Sequence, residues 1–175
     1  YPFRHGWTGG IWTRPRKKQY MDPEMFNVGH MMRRAGYSTA VAGKWQLARF
    51  EDRPMHPRSL GFDEFCLWTW LYSNAPEEVS KEKPGKPSRY WSPGVWRNGE
   101  LMEDVGGRFG PDIYTDFLID FMERHRSGPF FLYFPMCLTH WPFVPVPGME
   151  GNRGGTMKAG EKAQRNFAGM MLPFL

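Results

Sequence analysis

Cysteine is scarce in this chain, with two residues in 175, Cys66 and Cys137. Both sit in apolar surroundings, E-F-C-L-W-T-W and F-P-M-C-L-T-H. They read as buried free thiols, because unpaired cysteine packs as a small hydrophobe. A single disulfide is the other reading, and it leaves the redox compartment open. Long apolar runs are missing too. No stretch approaches about 18 consecutive apolar residues, so no membrane-spanning helix is expected. No signal peptide is visible. The chain opens at Tyr1 without an initiator methionine, so the expectation is a fragment cut from within a longer protein. Internal repeats and low-complexity tracts are also absent, which excludes a solenoid.

Charge of one sign is not concentrated. The net charge is +5, yet basic residues are scattered, with density only at Arg14–Lys18 and around Lys81–Arg89. That pattern argues against a dedicated nucleic-acid binder. It suits either a solvated basic surface or an anionic substrate. What is plentiful is core material. The composition is 41% hydrophobic and 17% aromatic, which sets the chain apart from disordered sequences despite 16 prolines and 20 glycines. The length suits one domain or part of a larger one.

Tyr1–Gln19 shows no period and reads as loop, and Asp22-Pro23-Glu24 suits a short turn. Val28, Met31, Met32 and Ala35 then fall on one helical face. Asn27 is a good N-cap, Gly36 a stop, and Arg33 and Arg34 complement the C-terminal dipole. Tyr37–Ala42 is short and continuous rather than alternating, as expected of a strand buried on both faces. Gly61–Phe65 leads into C-L-W-T-W-L-Y, a second strand or an aromatic loop. Ser73–Pro111 is rich in proline, glycine and charge. It is long for a structureless loop, and an excursion near a binding face is expected, with a small hairpin around Asn98-Gly99. Asp112–His125 carries Ile113, Phe117, Leu118, Phe121 and Met122 at helical spacing. It begins after Gly110-Pro111 and ends at Ser127-Gly128. The run F-F-L-Y-F after Pro129 reads as another buried strand.

Lys44 follows the first buried strand and His140 follows the later one. In open α/β sheets, sites form beyond the carboxyl ends of strands. If the two strands are parallel neighbours, Lys44 and His140 emerge on one edge. Gly43 would let the backbone turn there, and Gln46 could reach the same pocket. Lys44 equally suits an exposed lysine at a strand end, and His140 a hydrogen-bonded loop histidine. His5, His30, His56 and His125 lack ligand spacing and are expected to be structural or superficial.

Several stretches, in order, resemble one family. H-M-M-R-R-A-G-Y-S-T-A-V-A-G-K-W-Q-L (His30–Leu47) resembles the second signature of the type I sulfatases, which reads roughly as a helix, A-G-Y-x-T, three residues, then G-K-W-H-L-G. H-P-R-S-L-G-F-D-E-F (His56–Phe65) resembles their G-F-D-x-F element. P-F-F-L-Y-F through T-H-W-P-F-V-P-V-P (Pro129–Pro147) resembles their P-F-F-L-Y…H-x-P-F-x-x-P segment. Y-P-F-R-H-G-W (Tyr1–Trp7) is similar to the stretch just downstream of their nucleophile motif, and N-F-A-G-M-M-L-P-F-L to the start of a later helix. The likeness is weakest in Ser73–Pro111.

The resemblance implies an alkaline-phosphatase-like α/β sandwich, a mixed sheet flanked by helices, with residues 1–175 a partial catalytic domain. It implies hydrolysis of sulfate esters or sulfamates by a formylglycine nucleophile, with calcium held by Asp and Asn side chains. Cations aimed at the dispersed charge of a sulfate stabilise the transition state. Carried over by position, Lys44 would contact sulfate and His140 would lie near the leaving oxygen. Gln46 stands where the family has histidine; it can donate a hydrogen bond but cannot titrate. Ala48 replaces the usual glycine. C-x-P-S-R is absent. Lys86-Pro87-Ser88-Arg89 mimics its tail, but Gly85 stands in place of the cysteine and the order along the chain is wrong, so it reads as coincidence.

The formylglycine is therefore expected upstream of Tyr1, the calcium ligands outside this chain, and the chain alone inactive. The implied partner is a sulfated small molecule or glycan, not nucleic acid, and export is the family's habit. Two alternatives remain at this point: a phosphoester or phosphonate hydrolase of the same superfamily, and a non-catalytic binder of sulfated glycans.

Overall fold

The computed structural model describes residues 15–73, 89–151, 153 and 159–171. Tyr1–Trp7 and the Gly85–Ser88 part of the excursion lie outside the described residues. Before the first regular elements, Arg16–Lys18 form a short 3-10 turn where loop was expected.

Helix α1 (Val28–Arg34) begins where the sequence puts it. The Asn27 side-chain oxygen accepts the Gly29 N–H at 2.8 Å and the His30 N–H at 3.4 Å. Those bonds satisfy donors that a helix start leaves unpaired. Gly36, at φ 84°, ends the helix in the left-handed region. Strand β1 (Ser38–Lys44) follows, two residues longer at its end than the apolar run suggested. Ala40, Val41 and Ala42 are wholly buried, so both faces of β1 are covered.

A short helix α2 (His56–Ser59) precedes β2 (Glu64–Ser73), so C-L-W-T-W-L-Y is a strand rather than a loop. The hairpin around Asn98-Gly99 is present as β3 (Pro93–Arg97) and β4 (Glu100–Leu101), with positive φ at both turn residues. Helix α3 (Gly110–His125) leads to β5 (Phe130–Tyr133), and α4 (Glu161–Met171) closes the described chain.

The strands form one sheet in the order β4-β3-β2-β1-β5. β1 pairs in parallel with both β2 and β5, and β3 and β4 add antiparallel strands at the β2 side. The excursion is thus partly sheet: its second half returns to extend the edge. Alternation along β1 and β2 divides the core. Ala40, Ala42, Cys66 and Trp68 pack with α3 and with Tyr90, Phe109 and Cys137. Val41, Phe65 and Leu67 pack on the other face with Trp45, Phe50, Leu60 and Phe62. Both cysteines are buried free thiols. Among the described residues no helix is long and apolar enough to cross a membrane.

Candidate functional site

The carboxyl ends of β1 and β5 are neighbours, because the parallel register sets Ser38 beside Phe130 and Val41 beside Tyr133. Gly43 sits at φ 113°, and a Cβ there would collide with the Pro135 carbonyl oxygen. Only glycine takes both the conformation and the space. The Lys44 N–H then donates to Pro135 O at 2.6 Å, tying the loop after β5 to the end of β1. This junction brings the backbone of Lys44 and the segment leading to His140 to one sheet edge.

Lys44 is half-buried, and its ammonium makes no hydrogen bond or ion pair among the described residues. The ammonium acts on Cys137, partly opposing the burial that pushes that thiol up to about 12. Trp45 turns the other way. It is a core residue, edge-on to His56 at 5.9 Å and to Phe62 at 6.2 Å. Gln46 is half-buried and its amide has no hydrogen-bond partner among the described residues.

His140 is exposed at the far end of the loop. Its Nδ1 lies 2.7 Å from the Trp141 carbonyl oxygen, which can only accept. Nδ1 therefore carries the proton, and Nε2 is the atom left for a ligand. The loop is held by Tyr90 and Trp91, on the strap that leads into β3. The buried Tyr90 hydroxyl lies 2.8 Å from His140 O and 3.1 Å from Cys137 O, and it accepts the His140 N–H at 3.0 Å. Trp91 Nε1 donates to Pro145 O at 2.8 Å. From α4, the Asn166 amide reaches Phe143 O at 2.8 Å. Burial pushes the Tyr90 hydroxyl up to about 12, so it stays a neutral donor. Nothing in the sequence pattern assigned Tyr90 this part. A buried-type aromatic pair closing a polar excursion was the available signal.

The remaining histidines that the structure describes are engaged elsewhere. His30 Nε2 meets Ser59 O at 2.9 Å, His56 Nε2 meets Met21 O at 2.8 Å, and His125 Nε2 lies 3.4 Å from Glu64. A cleft of about 600 Å³ is lined by Lys17, Gln19, Tyr20, Arg49, Asp52 and Arg53, and neither Lys44, Gln46 nor His140 borders it. Its charges are partly matched internally: Arg49 lies 3.4 Å from Asp52, and Arg53 stacks 3.6 Å above the Tyr20 ring. Among the described residues no three His, Cys, Asp or Glu side chains converge as a metal site would need.

Comparison with known proteins then gives three kinds of likeness. The sequence model of the Sulfatase family matches residues 10–170. An uncharacterised sulfatase of Schizosaccharomyces pombe is 28% identical over 138 residues, covering 75% of this chain and 24% of that protein. The N-acetylgalactosamine-6-sulfatase of Mus musculus is 31% identical over 133 residues, covering 64% and 22%. The N-acetylglucosamine-6-O-sulfatase of Bacteroides thetaiotaomicron is 26% identical, covering 67% and 17%. The chain thus spans about a quarter or less of these curated relatives. The crystal structure of Ps i-CgsB superposes with a TM-score of 0.53 at 17% identity, covering 88% of this chain and 38% of that one. Its complex with k-i-k-neocarrahexaose gives 0.51. Those two likenesses bear on fold alone.

Proposed function

Because this chain belongs to the sulfatase family, with its mixed sheet and flanking helices forming part of the alkaline-phosphatase-like sulfatase fold, we propose that the whole protein hydrolyses sulfate esters and that Lys44, Gln46 and His140 act on the sulfate. The observation that carries the reading is the Lys44 ammonium. It is half-buried and unpaired among the described residues, at the edge where two parallel strands end. A cation held partly out of water without a counter-charge favours an incoming anion.

In this reading Lys44 grips a sulfate oxygen and stabilises the charge that gathers there as the S–O bond to the leaving group breaks. Gln46 adds a neutral hydrogen bond. His140, its Nδ1–H fixed on the Trp141 carbonyl, presents Nε2 to the leaving oxygen. As imidazolium it gives that oxygen a proton. The proposed formylglycine would supply the oxygen that attacks sulfur, and the proposed calcium would polarise the sulfate. The side chains described here do not by themselves form a calcium site, so the roles assigned to this chain are binding, charge stabilisation and proton transfer. A sulfated glycan is the proposed substrate class. The names of the Mus and Bacteroides relatives, both sulfatases of amino sugars, support it.

The test is Lys44→Ala in the full-length protein, assayed on sulfate esters. Turnover should fall about 10²–10³-fold, the usual cost of removing one preorganised charge donor. An unchanged rate would end the assignment of Lys44. Faster turnover of phosphate than of sulfate esters by the unsubstituted protein would point to phosphoester hydrolysis instead.

A further inference from the structure

Arg89 stands at the start of the strap that fastens the His140 loop. Its guanidinium carbon lies 4.9 Å from the centre of the Trp68 ring. Trp68 is the parallel-register partner of Lys44, so the ring that Arg89 covers lies one ladder step from the Lys44 backbone. Ala40 and Ala42 share the α3-facing core with Trp68, Tyr90 and Cys137, and Lys44 continues their alternation at the end of β1. Arg89 has no carboxylate partner among the described residues. One of its N–H-bearing atoms, Nη1, is fully covered and has no acceptor. The Cys137 thiol, buried on this face, senses both Arg89 and Lys44.

Two like charges facing one region with no counter-ion among the described residues disfavour each other, and a covered N–H without an acceptor is costly. Folding alone would favour an apolar side chain over Trp68, or an acid between the cations. Neither is present. We propose that Arg89 is a second cation of the anion site, binding, together with Lys44, the sulfate group of the substrate. This rests on the sulfatase reading and extends it. A guanidinium stacked on an indole holds its donors in a fixed plane, which lysine cannot imitate, and the stack limits the side-chain entropy lost on binding. It also gives Arg89 a role unrelated to the C-x-P-S-R likeness that drew notice to Lys86–Arg89.

The experiment is calorimetric titration of inorganic sulfate into the full-length protein at constant ionic strength, with the melting temperature of each unliganded variant measured alongside. Arg89→Gln should weaken sulfate binding about tenfold or more, as expected for loss of a charge-assisted bond. Its unliganded melting temperature should hold or rise, because an uncompensated charge has been removed. Arg89→Lys should recover only part of the affinity. Wild-type sulfate affinity in Arg89→Gln alongside weakened binding in Lys44→Ala overturns this inference and leaves the sulfatase reading standing. Wild-type affinity in both variants, or no sulfate binding by the unsubstituted protein, overturns both. A lower melting temperature in Arg89→Gln with affinity intact makes Arg89 a structural residue and also overturns the inference.

Discussion

The Tyr90 hydroxyl holds together three backbone groups of the loop that carries His140, namely Cys137 O, His140 O and the His140 N–H. Tyr90→Phe keeps the ring, which stacks on Phe109 at 6.2 Å, and removes only the oxygen. Covered backbone groups then lose their partner, at a cost of about 1–3 kcal/mol. The imidazole would also lose its fixed place. Denaturant unfolding should show that loss, and turnover of sulfate esters by the full-length protein should fall more steeply than stability alone explains. A variant with reduced stability and full turnover would show that Tyr90 serves the fold only. At this scale the sequence was partly legible. Lys44 and His140 stand out because each follows a continuous apolar run, and Gly43 because a turn was needed there. Arg89 and Tyr90 do not stand out, because what defines them is contact with Trp68 and with residues about fifty positions away. Neither periodicity nor spacing records such contacts.

Among the elements, α1, β1 and the approach to β2 are joined at one carboxylate. Asp63 Oδ2 accepts the Thr39 N–H at 3.0 Å. The Thr39 hydroxyl donates to Gly61 O at 2.7 Å and accepts the Asp63 N–H at 3.0 Å. Arg33, from the last turn of α1, reaches Asp63 Oδ1 at 3.2 Å. This explains physically why threonine after A-G-Y-x and aspartate in G-F-D occur together here: they set how the helix and two strands meet, and so where β1 ends and Lys44 emerges. Asp63→Ala should cost about 1–3 kcal/mol by orphaning the buried Thr39 amide. Asp63→Asn should restore most of that loss, since it keeps an acceptor. Arg33→Ala should change stability little, because that ion pair is largely exposed. Urea unfolding of the three variants checks the order, and a large loss in Arg33→Ala would shift the weight to the ion pair. Helices α1 and α3 and strands β1 and β5 were legible because caps and apolar runs are local, whereas α2 was not expected and β2 stood open between strand and aromatic loop. The turn at Asn98-Gly99 announced the β3–β4 hairpin, but not where it attaches. Only β3 pairs with β2, with Cys66 opposite Arg97, and β4 pairs with β3 alone, a long-range docking that a local hairpin signal does not record.

Across the whole molecule, buried titrating groups bound the pH range of stability from both sides. His56 is almost fully covered, and burial lowers its pKa from 6.5 even though its Nε2–H bonds to Met21 O. Below pH 6.5 the unfolded chain therefore takes up a proton that the folded chain refuses, so stability falls as pH drops. Glu64, bound by two Arg124 nitrogens at 2.8 Å, has its pKa lowered from 4.5. It extends the loss to lower pH, where Asp112, raised by burial and by Asp116, works against it. On the alkaline side Cys66 and Cys137 are both pushed up to about 12 by burial, against 9.0 for a free thiol. Above pH 9 the unfolded chain releases two protons that the folded chain keeps, and stability falls again. The melting temperature should therefore peak between these limits, at about pH 7–8.5. One proton changes stability by at most about 1.4 kcal/mol per pH unit. His56→Gln, which retains a donor for Met21 O, should flatten the slope between pH 7 and 5 and leave the alkaline limb unchanged. Melting curves at a series of pH values measure both limbs. An unaltered acid slope in His56→Gln would assign that limb to other groups.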